Sequence, residues 1–195
     1  LSDNIPEIQK ASSIIDIESM RMSKLIKDML FLASSDSGTY RINKTMVNLD
    51  TLLITLYEAY EPICNKTGIP LDVNFVDTYF PTIYTDQECL FQILSIFMDN
   101  AISHSKTKTA IRIKASLSHK NINISIIDHG QGISDEDKPY IFDRFFCSDK
   151  SHTDKSHFGL GLSIAKDLAR LLSVEIGIKD TEDHGATFFL ILPLK

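Results

Sequence analysis

Two alternating runs constrain the fold most. AIRIKASL (residues 110–117) and NINISII (residues 121–127) flank the turn SHKN. Apolar side chains at every second position place one face of each strand in a core and the other toward water. So short a connection makes the pair an antiparallel hairpin, which needs further elements to cover its apolar face. The flanking sequence supplies them. Asn48 or Asp50 caps a predicted helix to about Lys66, stopped by TGIP, and LDVNF is a strand. TDQE (Thr85 to Glu88) reads as a capping box opening a helix that runs to about His104. A short helix is predicted near Asp135 to Phe145, a polar irregular loop over 147–158, and a helix over Leu160 to Leu172. VEIGIKD and ATFFLILPL close the chain as a second hairpin around EDHG. The fold class is α/β.

Ahead of this domain, residues 6 to 34 read as one long helix. Ile8, Ile15, Met22 and Met29 recur every seven residues, and Ala11, Glu18, Leu25 and Leu32 form a second set three places on. That is a coiled-coil-like seam, imperfect at Glu18, which needs a partner helix or its own domain to bury it. The organisation is therefore a helical segment over 1–38 and an α/β domain over 45–195. The chain begins at Leu1 and not at Met, the expectation for a piece of something longer.

Composition narrows the function. Hydrophobic residues make up 43% of the 195, enough for a real core, and the net charge of -6 argues against a nucleic-acid partner. The apolar runs are too short for a membrane span and no signal peptide is evident. Cys64, Cys89 and Cys147 lie far apart with no metal-ligand spacing, which suits a reduced, cytosolic setting.

Four elements carry the chemistry. On the helix from Asp86, Asn100 shares a stripe with Ile93, Ile96 and His104. A buried amide must find partners; it either bonds a loop backbone or offers oxygen to a hard cation such as Mg²⁺. Asp128 continues the parity of Ile122, Ile124 and Ile126, so its carboxylate points toward the apolar side and needs a donor, such as an exocyclic amino group; the alternative is a turn-capping Asp. Gly130 and Gly132 follow at once and leave room for a tight turn beside the acid. Gly159 and Gly161 let the backbone come close to a ligand, and the helix beginning near Leu160 offers unpaired N–H groups, an anion site in principle. HGATF brings Gly185 and Thr187, whose hydroxyl would sit near Asp128 if the two strands neighbour each other. Neither glycine turn fits the dinucleotide or P-loop fingerprint.

In their order and separation, these elements resemble the ATP-binding domain of sensor histidine kinases. FMDNAISHS is similar to the N box, DHGQGI to the G1 box, IFDRFF to the F box, HFGLGLSIAK to the G2 box and HGATF to the G3 element. IESMRMSKLIKDMLFLASSDSG resembles the second helix of the family's dimerisation hairpin. The resemblance implies a two-layer α/β sandwich of the Bergerat type shared with gyrase-type ATPases. It implies that Asn100 coordinates Mg²⁺ bridging the phosphates of ATP, that Asp128 accepts from the adenine amino group, and that Thr187 supports it directly or through water. Gly130, Gly132, Ile133, Gly159, Leu160, Gly161 and Leu162 would line the pocket, with His104 beside the adenine. Residues 147–158 would form the lid, anchored to the bundle by Phe142 and Phe145, with Phe145 at the nucleotide site. The γ-phosphate would go to a histidine on the hairpin's first helix. Residues 1 to 34 hold no histidine, so no phosphoacceptor and no catalytic residue is assigned, and the fragment alone is expected to be inactive.

Further expectations follow from the family: homodimerisation through the hairpin, relay to a response regulator receiver domain, and a cytoplasmic domain of a membrane sensor. Three positions depart from the pattern. Ile96 stands four residues before Asn100, where a water-activating acid would sit in a hydrolase, and isoleucine takes no proton. Asp99 points elsewhere along the helix. Ser103 and Cys147 stand where many members have Lys and Arg; Lys106, Arg144 or Lys150 would compensate as phosphate contacts. The competing functions are a gyrase- or chaperone-class hydrolase, a non-catalytic scaffold, and an anti-sigma serine kinase.

Overall fold

The computed structural model describes residues 5–77, 79–105, 108–147, 158–182 and 184–194. It begins with α1 (Ile5–Asp36), then β1 (Thr45–Val47), α2 (Leu49–Thr67), β2 (Leu71–Phe75), β3 (Ile83–Thr85) and α3 (Gln87–His104). The hairpin of β4 (Ile111–Leu117) and β5 (Asn121–Ile127) follows, then α4 (Gly161–Leu172), β6 (Glu175–Asp180) and β7 (Ala186–Pro193).

Five strands form a mixed sheet in the order β2-β4-β5-β7-β6; β2 and β4 run parallel, and the other pairs antiparallel. The register places Ile113 opposite Ile126, Ile124 opposite Leu190 and Ile126 opposite Phe188. These residues are buried, so one face of the sheet is a continuous apolar surface. α2, α3 and α4 cover it, and Phe97 of α3 stacks on Phe188 with ring centroids 5.3 Å apart. One layer of strands and one of helices is the two-layer sandwich that the family resemblance implies. β1 and β3 pair separately as a short two-stranded ribbon.

The caps explain the helix limits. Asn48 Oδ1 accepts from Thr51 N at 2.9 Å to start α2, and Gly68, at φ +71°, stops it. α3 corrects the sequence expectation by one residue: its cap is Asp86 rather than Thr85. Asp86 Oδ1 accepts from Cys89 N at 3.1 Å, while Oδ2 holds Asn43 N at 2.7 Å. The short helix expected near Asp135 to Phe145 is a chain of turns instead. Apart from Lys138 N, which bonds Ser134 O, and Phe145 N, which bonds Gly159 O, its paired amides bond three residues back, as Tyr140 N does to Asp137 O and Asp143 N to Tyr140 O, without continuing as an α-helix.

α1 divides the two heptad sets. Leu25 and Leu32 turn inward with Arg21, Asp28 and Ser35, at steps of three and four, onto the α/β domain. Ile8, Ile15, Met22 and Met29 stay more than half exposed.

Candidate functional site

The end of β5, the second half of α3, the start of α4 and the inner face of α1 enclose an open cleft of about 1270 Å³. Asn100, His104, Asp128, Gly132, Ile133, Gly159, Leu160, Gly161 and Leu162 all line it. Elements spread over more than sixty residues of sequence thus converge on one space.

Asp128 sits just past the end of β5 on the helix-covered face and is 2% exposed. Its Oδ1 accepts from Gly130 N at 2.9 Å and from Ala186 N at 3.1 Å. Burial pushes the carboxyl above its ordinary value, and the two amides offset only part of that. Both amides address Oδ1, so a donor on a ligand would meet Oδ2. Gly130 seats the turn against α3; a Cβ there would overlap the His104 carbonyl oxygen. Gly185 does the same from the β6–β7 side, where a Cβ would collide with the Asp128 carbonyl oxygen.

The other end of the cleft is built on α4. Its cap, Leu160, makes no side-chain cap hydrogen bond, and the first turn carries no acidic residue. The leading N–H groups and the positive end of the helix dipole therefore face the cleft uncompensated. Gly159 holds φ +68°, and its carbonyl oxygen accepts from Phe145 N at 2.9 Å.

On α3, the Asn100 amide nitrogen donates to Ile96 O at 2.7 Å. That fixes the side chain and leaves Oδ1 as the atom it has to offer a ligand. Among the described residues no group of three or more His, Cys, Asp or Glu is placed to hold a metal ion. A single amide oxygen beside an anion site fits a divalent cation that takes its other ligands from phosphates and water, as Mg²⁺ does. Ile96 lines the same wall and offers no base. Asp99 is held by the Tyr60 hydroxyl at 2.9 Å and by Lys24 at 3.5 Å.

Three expected contacts are corrected. Thr187 pairs with Ile127 across the sheet and so lies on the face opposite Asp128; its hydroxyl bonds Thr181 Oγ1 at 2.8 Å. The residue that reaches Asp128 is Ala186, through its backbone. Phe145 is 62% exposed, and Phe146 lines the cleft in its place. Arg144 faces away from the cleft residues, gripping Asp36 at 2.6 and 2.7 Å and Asp167 at 3.1 Å. Lys106, Lys150 and lid residues 148–157 lie outside the described residues. Sequence reasoning did not find Arg21, Lys24 and Phe158 at the cleft. The step of 21, 25, 28, 32 and 35 along α1 was the signal available for the first.

Residues 85–195 match the family described as Histidine kinase-, DNA gyrase B-, and HSP90-like ATPase. The chain is 34% identical over 180 residues to Sensor protein CiaH of Streptococcus pneumoniae serotype 4, covering 91% of this chain and 39% of that protein. The chain thus spans about two fifths of the length of such curated relatives. Among solved structures, full-length ShkA in complex with AMPPNP superposes with a TM-score of 0.79 at 25% identity, covering 90% of this chain and 36% of that one. Histidine kinase ThkA in complex with response regulator protein TrrA gives 0.76 at 21% identity, covering 96% and 52%.

Proposed function

The chain belongs to the histidine kinase-, DNA gyrase B- and HSP90-like ATPase family, and on that premise we propose that it is the ATP-binding catalytic part of a sensor histidine kinase. It binds Mg-ATP and passes the γ-phosphate to a histidine on a helix outside this chain, for relay to a response regulator receiver domain. One observation carries this: a buried carboxylate acceptor, Asp128, and an uncapped helix start at Gly161 share a cleft whose α3 wall presents Asn100 but only isoleucine, Ile96, one turn earlier. The first two suit a purine amino group and a polyphosphate. The third suits a transferase over a hydrolase, since nothing at Ile96 can activate water.

The chain's residues supply positioning and charge neutralisation, which is most of what phosphoryl transfer asks of a protein. Asp128 orients the base. The N–H groups after Gly159 and the Asn100 oxygen set the phosphate end. Mg²⁺, when bound, neutralises charge on the transferring phosphate. The exposed Ile8, Ile15, Met22 and Met29 stripe supports homodimerisation through a helical hairpin. Among the described residues no helix is long and apolar enough to cross a membrane. As a cytoplasmic part of a membrane sensor, the domain would be anchored through other segments of the protein.

The test has two stages. Calorimetry of the chain should show Mg-ATP binding, with phosphate release no faster than the blank. Addition of a hairpin polypeptide carrying both helices and the phosphoacceptor histidine should then transfer label from [γ-³²P]ATP to an acid-labile phosphohistidine. Steady phosphate release without the hairpin would point to a hydrolase, and absent nucleotide binding would overturn the proposal.

A further inference from the structure

The charges around the cleft are distributed unevenly. The α/β part contributes Asp99, Asp128, Glu136, Asp137 and Asp180 and, among the described residues, no Lys or Arg. Among the described residues the Lys and Arg side chains that line the cleft, Lys24 and Arg21, both come from α1, which also contributes Asp28. Lys24 is engaged with Asp99 at 3.5 Å. Arg21 is held differently. Its guanidinium carbon stands 4.6 Å from the centroid of the Phe158 ring, and Phe158 immediately precedes Gly159 at the anion end of α4. Its Nε is buried and, among the described residues, has no hydrogen-bond partner. Its ion pair among the described residues, with Glu18 at 3.5 Å, is to a side chain 56% exposed, where water competes for the charge.

We infer that Arg21 binds the terminal phosphate of the nucleotide, so that α1 completes a site the α/β domain only begins. The inference rests on the Mg-ATP reading above. With the base at Asp128, the phosphates run toward the start of α4, and the outermost one meets the helix that faces it. A guanidinium there presents a fork of donors to phosphate, and one of them lacks a partner in its absence. The Phe158 ring holds the cation by its face without consuming a donor. Affinity for a nucleoside triphosphate then depends on α1 being docked, which couples helix position to nucleotide occupancy.

Calorimetric titration of the 195-residue chain with Mg-ATP and Mg-ADP tests this on the wild type, Arg21→Ala and Arg21→Lys. Arg21→Ala should weaken Mg-ATP about tenfold and Mg-ADP about twofold or less, because only the triphosphate reaches α1. Arg21→Lys should recover only part of the loss, since an ammonium keeps the charge but not the fork, and the wild-type preference for ATP should shrink as salt rises. Leu25 and Leu32 still dock α1 in both variants, so they are expected to fold, and retained Mg-ADP binding reports that they have. Unchanged Mg-ATP affinity in Arg21→Ala, or equal losses for both nucleotides, would overturn the inference while leaving the nucleotide site standing. A wild type that binds neither nucleotide would overturn the underlying reading and this inference together.

Discussion

Asp36 and Arg144, 108 residues apart in sequence, form a two-pronged ion pair with N–O distances of 2.6 and 2.7 Å. Asp167 of α4 joins from the other side at 3.1 Å, and Arg170 reaches Ser35 at 3.2 Å. The last turn of α1 is thereby fastened to the turns after β5 and to α4.

Loss of this clasp should loosen α1 without unfolding the domain. In Arg144→Ala, amide exchange over residues 30–38 is expected to quicken, while exchange in β5 and β7 stays at the wild-type rate. Protection unchanged in α1 would refute the clasp. The pH dependence follows from its sign. The Arg144 guanidinium holds the Asp36 carboxyl below its ordinary value of 3.8, so this contribution is present above that value and is lost only as pH falls through the lower, folded value. α1 exchange protection should therefore be insensitive to the clasp's titration between pH 5 and 8.

Asp128→Asn separates stability from binding. Asparagine can still accept from Gly130 N and Ala186 N but turns a donor toward the ligand's amino group. Burial raises the Asp128 carboxyl above 3.8, so its ionised form weakens the folded state increasingly as pH rises from 3.8 through the higher, folded value. At pH 7 the ligand-free variant should melt no lower than wild type. Wild type at 100 times Kd should gain about 2.7 kcal/mol from Mg-ATP, and the variant should gain almost nothing. A thermal shift retained in the variant would remove adenine from Asp128.

The two glycines at the start of α4 should respond differently to alanine. At Gly159 the backbone is left-handed, and a Cβ would stand 2.6 Å from the Phe146 carbonyl oxygen. Gly159→Ala should lose roughly 1–2 kcal/mol for the backbone alone, with more from the clash. At Gly161 a Cβ would meet only Ile96 Cγ2, at 3.5 Å, so Gly161→Ala should leave stability nearly unchanged. Urea denaturation of both variants decides it; equal midpoints would be evidence against the turn described.

The thiols should be distinguishable. Cys64 and Cys89 are buried, and burial is the main cause that pushes Cys89 to about 11. Cys147 is part-exposed and lines the cleft. A thiol reagent at pH 8 should titrate one cysteine rapidly and the other two only on unfolding, and the Cys147→Ser variant should lose the rapid phase.

Much of the architecture was legible because it is written in short-range periodicity. Alternation at 110–117 and 121–127 defines a hairpin with one buried face, and parity alone puts Asp128 on that face. Glycines at 130, 132, 159 and 185 mark where the backbone must turn or approach closely. Asn100 and Ile96 share a helix face by simple spacing. All of these are properties of neighbours along the chain.

The remaining decisions needed the assembled fold. Thr187 is two residues past Gly185 in any reading, but whether it faces Asp128 depends on the β5–β7 register. Pairing with Ile127 sends it to the other face, toward Thr181. Arg144 reads equally well as a phosphate contact or an ion-pair partner until α1 is docked and Asp36 claims it. The seam on α1 carries two apolar sets, and only packing decides that Leu25 and Leu32 turn inward while Met22 and Met29 stay exposed. Sequence by itself determined the elements and the chemistry each could offer. Tertiary structure decided which of those groups meet, because a side chain's partner is set by the relative placement of whole elements, to which periodicity within each is blind.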